Sequence, residues 1–306
     1  MTPTAPKILG IGTVTVDHVM TVSDFPAPDT KNEAISTRFQ VGGPVPIALA
    51  QLSRFGHSTN FLSAWGDDPF GNLVEERFKA EGIAFSPACR GDFATSVTQI
   101  WLKESTGQRT LVTSRTHGAA ITELLTAEFV SQFDVLHLDC WPSEAALLAA
   151  RFMKENGGFV CVDTGSPKAG VEEILRIADV VNCPKRFCEI FLNVSDLEEA
   201  SRRVSTFGPK IVTVTDGENG SVLHTQGETF HQPALKFGNI VDTNGAGDSF
   251  SGAIIHGVLQ NWPPEKVLKF AATCAGLKCT QAGNDAALPN EVDVLQRMNA
   301  KVSSET

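Results

Sequence analysis

The sequence predicts an α/β domain on a mostly parallel sheet, and three observations carry that expectation. Between residues 135 and 215, short β-branched runs alternate with helical stretches, the pattern of strands covered by helices on both faces. The helical stretches close on glycines, at Gly56, Gly82 and Gly157-Gly158, where a chain leaves a helix at low cost. The composition is globular: of 306 residues, 42% are hydrophobic and 20% charged, values that exclude a disordered chain, a coiled coil and a collagen-like repeat.

Residues 7–16, KILGIGTVTV, form a β-branched run suited to a buried strand. Residues 44–55 are helical in pattern, 59–64 strand-like and 70–80 helical again. Residues 96–102 and 109–113 read as two strands around Glu104-Ser-Thr-Gly107, a hairpin signal. A strand at 135–138, a helix at 143–155, a strand at 159–162 and a helix at 171–177 follow. Val180 and Val181 are strand-like, 197–205 is a helix and 211–215 a strand. Two short strands, 221–224 and 228–231, precede two helices, 246–260 and 264–280, that are expected to close the fold. Only the ends, about 1–6 and 303–306, look loose. Without an internal repeat or a low-complexity linker, one domain over 1–306 is expected. The segments 14–41 and 95–114 stand outside the alternation and suit a β-rich excursion such as a lid.

The formal charge of -10 argues against a non-specific nucleic-acid binder, which needs a basic face. No run of 18 apolar residues predicts a membrane span, and Met1 to Lys7 lacks the pattern of a secretory leader. The seven cysteines are scattered without a C-x-x-C pair, so reduced thiols in a cytoplasmic protein are expected. The seven histidines, His117 among them, show no metal-ligand spacing and read as packing or surface residues.

The stretch Val241-Asp-Thr-Asn-Gly-Ala-Gly-Asp-Ser-Phe250 carries chemistry. Small residues Gly245, Ala246 and Gly247 at a helix start leave backbone N–H groups uncovered, and those donors suit a phosphate or a developing negative charge. An acid at Asp248 beside them could take the proton of an attacking hydroxyl. Taken alone, the same letters describe a plain strand-to-helix turn. Two other glycine-bearing segments point the same way: Thr213-Val-Thr-Asp-Gly-Glu-Asn-Gly220, reading as strand, turn, strand, and Val41-Gly-Gly-Pro44, opening the helix that ends at Gly56.

In this order the three segments resemble the ribokinase-like (PfkB) carbohydrate kinases, from Ile8 to about Pro289. Asp242 to Asp248 resembles that family's D-T-x-G-A-G-D signature, Gly42-Gly43 its N-terminal glycine pair, Gly66-Asp-Asp-Pro-Phe-Gly71 its G-D-D-x-F-G, and Gly107-Gln-Arg109 its G-x-R strand. The last helix, with Ala275-Gly-Leu-Lys-Cys279, is most similar to the ketohexokinase and sulfofructose kinase branch. The resemblance implies a ribokinase-like three-layer fold with a small β lid. It also implies transfer of the ATP γ-phosphate to a hydroxyl of a small, ketose-like sugar, a homodimer through the lid, and Mg²⁺, with a monovalent cation such as K⁺ as a further component. Asp248 is then the base, with Gly245, Ala246 and Gly247 as the anion hole. Asp17, Gly43, Asp29 and Arg109 would meet the sugar. Thr215, Gly217 and Gly220 would line the phosphates and ribose, and Ala272 and Gly276, on what reads as the last helix, the adenine.

The chain departs from the family pattern in places. Ile47 stands where many members carry a sugar-binding Asn, and Pro44 replaces another polar residue, which points away from ketohexokinase-like fructose binding. The motif N-x-x-E becomes Asn182-Cys-Pro-Lys185, so no metal ligand is assigned there. Asn244 replaces the common Thr and is expected to supply mostly backbone. Arg115 could pair with a substrate anion or with solvent. Asp67 and Asp68 read as turn and cap residues. Asp163 suits either a Mg²⁺-bound water or a helix cap, and Lys278 is expected to face solvent. The alternatives are a nucleoside kinase of the same fold and a non-catalytic regulatory relative. A nucleotide-binding oxidoreductase rests only on Gly10-Ile-Gly12, whose third glycine position holds Thr15.

Overall fold

A computed structural model describes residues 6–116 and 121–299. The expected loose ends, Pro6 excepted, and His117 lie outside the described residues.

The chain begins with β1 (Lys7–Ile11). The run expected at 7–16 is broken from Gly12 to Val14, and β2 (Thr15–Val22) continues in a different sheet with β3 (Ser36–Gly42). Helix α1 (Pro44–Arg54) returns to β4 (Ser58–Leu62). After the short β5 (Trp65–Gly66), α2 (Pro69–Glu81) is capped by Asp68, whose Oδ1 accepts the Gly71 N–H at 2.8 Å. Short strands β6 (Ala84–Phe85) and β7 (Arg90–Gly91) lead to the hairpin β8 (Val97–Lys103) and β9 (Arg109–Ser114). The alternation then runs α3 (Ala127–Val130), β10 (Val135–Leu138), α4 (Ser143–Glu155), β11 (Phe159–Asp163), α5 (Val171–Ile177), β12 (Val180–Pro184), α6 (Lys185–Leu192), α7 (Leu197–Ser205) and β13 (Ile211–Thr215). An antiparallel pair, β14 (Ser221–Thr225) and β15 (Glu228–Gln232), is followed by α8 (Ala246–Leu259), α9 (Pro264–Lys278) and α10 (Glu291–Asn299).

Nine strands form the main sheet in the order β15-β14-β13-β12-β11-β10-β1-β4-β6, parallel from β13 to β6. Helices α1, α2, α8, α9 and α10 pack together on one face and α3 to α7 on the other, so β14 touches α9 from one side and α7 from the other. Strands buried on both faces lose alternation, and β10 is buried at all four positions. The three-layer α/β expectation therefore holds. Sequence reading missed α6, where Pro184 and a short polar start hid an eight-residue helix, and α10, which follows the helix expected to be last.

The second sheet has the order β3-β2-β8-β9. Its central pair, β2 and β8, is parallel, with Asp17 opposite Thr98. The two excursions expected at 14–41 and 95–114 thus join into one small sheet, standing over the carboxyl ends of the parallel strands.

Candidate active site

Four chain segments converge at the carboxyl ends of the parallel strands, the edge at which open α/β sheets bind ligands. Helix α8 starts there. Gly245 adopts φ 77 at its cap, a conformation open to glycine, and an added Cβ would come within 2.5 Å of Asn284 Oδ1. The Ser249 N–H takes up the Gly245 carbonyl at 2.9 Å, and the Ala246 N–H reaches Thr243 O at 3.3 Å. The N–H groups of Gly247 and Asp248 have no backbone acceptor, and the space beside Gly247 is open. Two donors and the positive end of a 14-residue helix thus face the cleft.

Asp248 sits half-buried in the first turn of α8. Burial raises its pKa to about 7, the nearby charges of Asp163 and Asp17 push the same way, and Arg109 and Lys278 oppose them. Asp17 is buried and held at Oδ1 by the Thr15 hydroxyl at 2.8 Å, and burial raises its carboxyl too. Arg109 reaches from β9 to Asn244 Oδ1 at 2.5 Å, while Asn244 Nδ2 donates to Asp17 Oδ2 at 3.4 Å. Asn244 therefore does more than supply backbone, contrary to expectation: its amide bridges two strands of the small sheet to the loop before α8.

Asp242 anchors that loop. Its Oδ2 accepts Arg38 Nη2 at 2.7 Å and the Gly283 N–H at 2.9 Å, and its Oδ1 accepts the Asn244 N–H at 2.9 Å. Lys278 was expected in solvent and is instead fully buried, its Nζ donating to the Asp242 carbonyl at 3.1 Å. The signal was present: Val267, Ala271, Cys274 and Lys278 share one buried stripe of α9.

Gly43, at φ 109, starts α1 against Thr13, whose carbonyl lies 2.2 Å from where a Cβ would stand. Asp139, buried at the end of β10 and missed from sequence, accepts the N–H groups of Thr13 and Trp141, each at 3.0 Å, and so fixes this turn. Between them opens a cavity of about 160 Å³ lined by Gly12, Thr13, Ser63, Arg115 and Trp141. Arg115 lies over the Trp141 ring, 5.3 Å from its centroid. Ile47 is buried behind Gly245 and offers nothing polar. Asp29 lies exposed in the loop between β2 and β3, with no side-chain hydrogen bond to Asp17, Asn244 or Arg109.

On the opposite flank, Thr215 ends β13, Gly217 opens a tight turn and Gly220 begins β14's approach. Lys185 Nζ pairs with Asp216 Oδ2 at 2.9 Å beside this turn. Ala272 and Gly276 are one turn apart on α9, which is not the last helix, and Gly276 packs against the Leu235 carbonyl and the Phe237 ring. Asn182 is buried and spent on Ser251, Asp163 and Thr213. Asp163 accepts Ser251 Oγ at 2.7 Å and the Gly165 N–H at 3.1 Å, so it holds the next turn. Asp67 pairs with Arg90 at 2.6 Å. Among the described residues no three side chains group as a metal site. His57 and His256 face each other at 2.9 Å in the core, and burial lowers both to about 4. All seven cysteines are unpaired, six of them buried. Among the described residues no helix is long and apolar enough to cross a membrane.

Comparison with known proteins gives one family. The model of the pfkB family carbohydrate kinases matches residues 5–291. The chain is 22% identical over 298 residues to a ribokinase of Haemophilus influenzae, covering 94% of this chain and 96% of that one. It is 26% identical over 332 residues to a probable fructokinase-3 of Arabidopsis thaliana, covering 98% and 93%. Its fold matches the putative ribokinase II of E. coli solved with ATP and Mg²⁺, at a TM-score of 0.80 and 20% identity over 95% of this chain and 99% of that one.

Proposed function

The chain belongs to the pfkB family of carbohydrate kinases, and from that premise we propose that it is an ATP- and Mg²⁺-dependent kinase of a small, ketose-like sugar. The observation that carries the reading is one juxtaposition. A carboxyl raised to about 7 stands beside two unpaired N–H groups at the start of α8, with Asp17 and Arg109 close enough to shift it. Relatives named ribokinase and fructokinase suggest an acceptor of pentose or ketohexose size. Ile47 and Pro44 side chains offer no hydrogen bonds, so the acceptor is read by Asp17, Arg109 and the turn at Gly43, whose neighbour Thr13 lines the adjoining cavity.

Asp248, ionised near neutral pH, takes the proton of the acceptor hydroxyl as it attacks. The N–H groups of Gly247 and Asp248, in the anion hole begun by Gly245 and Ala246, donate to the phosphoryl oxygens and stabilise their charge. Thr215, Gly217 and Gly220 pass backbone along the nucleotide, and Ala272 and Gly276 face its base. Strands β2, β3, β8 and β9, within 14–41 and 95–114, act as a lid that excludes water. Mg²⁺ neutralises the phosphates when bound. Few side chains are left to hold it: Asn182 and Asp163 are spent on each other and on Ser251, and Asp216 is neutralised by Lys185. The ion would therefore be held chiefly through phosphates and water.

The enzyme is a single domain acting in the cytoplasm, where seven unpaired cysteines stay reduced. Exposed Phe39, Leu111 and Val112 on the small sheet, with Ile35 just before β3, support a homodimer through the lid. The test is ADP release over a panel of ketoses, pentoses, inositols, nucleosides and phosphorylated or sulfonated sugars, with Asp248→Asn as control. Turnover of one sugar class that vanishes in the variant is expected. Turnover of nucleosides alone, or ATP binding without turnover, would sink the reading.

A further inference from the structure

We propose that Lys278 is a resident cation for the loop that carries the anion hole, and that this enzyme transfers phosphate without a monovalent metal cation. The inference rests on the kinase reading and concerns the regulation of the same site.

Burying an ammonium is unfavourable unless hydrogen bonds and an opposite charge compensate it. Lys278 is fully buried; burial lowers its pKa, and the charge of Asp242 is the main influence that holds the ammonium against it. It is the last residue of α9, at the negative end of a 15-residue helix. Its Nζ donates to the Asp242 carbonyl and lies 3.9 Å from Asp242 Oδ2. The loop is pinned to the same helix end, because the N–H groups of Val241 and Asp242 donate to Cys279 O at 2.8 and 3.3 Å. Arg38 contacts the same carboxylate, so two cations face one anion three residues before Gly245 in the same loop. Of this cluster Lys278 acts on the carboxyl of Asp248, where its charge opposes the larger effects of burial and Asp163.

A monovalent metal cation would supply the same single charge through oxygen ligands. The oxygens at this place do not fit one. The Asp242 carbonyl is engaged by a tethered ammonium, which is present at high effective concentration, and the carboxylate is shared between Arg38 and Lys278. Asn284 holds one unpartnered oxygen beside Gly245, but the cavity next to it measures about 10 Å³ and is lined mainly by Val41, Pro46, Ile47 and Ala50. That is room for one water, whereas a hard cation needs a shell of oxygens.

The experiment compares K⁺, Na⁺ and tetramethylammonium salts at equal ionic strength, reading kcat/KM and, by calorimetry, ADP affinity. The wild type is expected to vary by less than about twofold, against the 5–150-fold typical of a coupled effector. Lys278→Met is expected to fall about tenfold or more in tetramethylammonium. It should recover in part with K⁺ or ammonium and show a Tm that now rises with K⁺. Strong activation of the wild type by K⁺ overturns the proposal. So does a Lys278→Met enzyme that matches the wild type without metal, or one that is slow and indifferent to every cation. If the variant does not fold, the wild-type profile decides. If no sugar is turned over, the kinase reading fails, and ADP affinity across the three salts still tests Lys278.

Discussion

The loop before α8 and the start of α1 both bring glycine to the same cleft, and they are built on opposite terms. From Asp242 to Asp248 two polar side chains of the loop are tied, Asp242 to Arg38 and Asn244 to Arg109 and Asp17, and Gly245 is closely covered by Asn284. From Gly42 to Ile47 the chain is apolar, and no side chain caps the helix. The first region holds the groups proposed for phosphoryl transfer on one continuous stretch. The second only shapes space, and the polar groups that would read an acceptor come from β2, β9 and the 242–245 loop.

Breaking the first region should cost most. Asp248→Asn is expected to lower kcat about 10³-fold, measured by coupled ADP release. With the Asp248 carboxyl near 7, kcat/KM of the wild type should fall about tenfold per pH unit below that value. The sign of the stability effect is opposite. A carboxyl raised in the folded state binds more protons there, so stability is lost as pH rises from the unfolded value of 3.8 to about 7. Asp248→Asn should therefore melt a few degrees higher than wild type at pH 8, with the gain vanishing below about pH 4. A variant that melts lower at pH 8 would show that the site holds the charge at ease.

Gly245→Ala combines a strained φ of 77 with a clash on Asn284 and should cost about 10²-fold in kcat with little change in acceptor KM. Asn244→Ala tests the bridge between the two regions. Losing bonds to one cation and one carboxylate should raise acceptor KM about tenfold and leave ATP KM unchanged. An equal rise in both constants would mean the bridge serves the whole cleft. Lys185→Glu should act least, lowering the Mg²⁺ concentration for half-maximal rate by about threefold.

The same contrast explains what could be read from the chain. Periodicity located α4, α5, α7 and β10 to β13, because strands buried on both faces are continuous β-branched runs. The anion-hole helix was legible because its chemistry lies on adjacent residues. Arg38, Asn244 and Asp139 were not, since each gains its meaning from a partner more than a hundred residues away. Lys278 was misread by giving its charge more weight than its place on the stripe with Ala271 and Cys274. Asp29 illustrates the reverse: the resemblance made it a sugar contact, and it lies exposed in the β2–β3 loop.

The parallel seam between β2 and β8 has a consequence for synthesis. Val16 pairs with Val97 and Val22 with Lys103, so the middle of the small sheet closes a loop of about eighty residues that holds α1, β4 and α2. A growing chain displays β2 and β3 as an orphan ribbon until residue 103 has emerged. During that interval a two-stranded piece with an exposed Phe39 stands without the neighbour that completes it. The cover of the catalytic cleft is thus assembled after the first third of the main sheet, and ribosome-bound chains cut short of residue 97 should leave 15–42 open to protease.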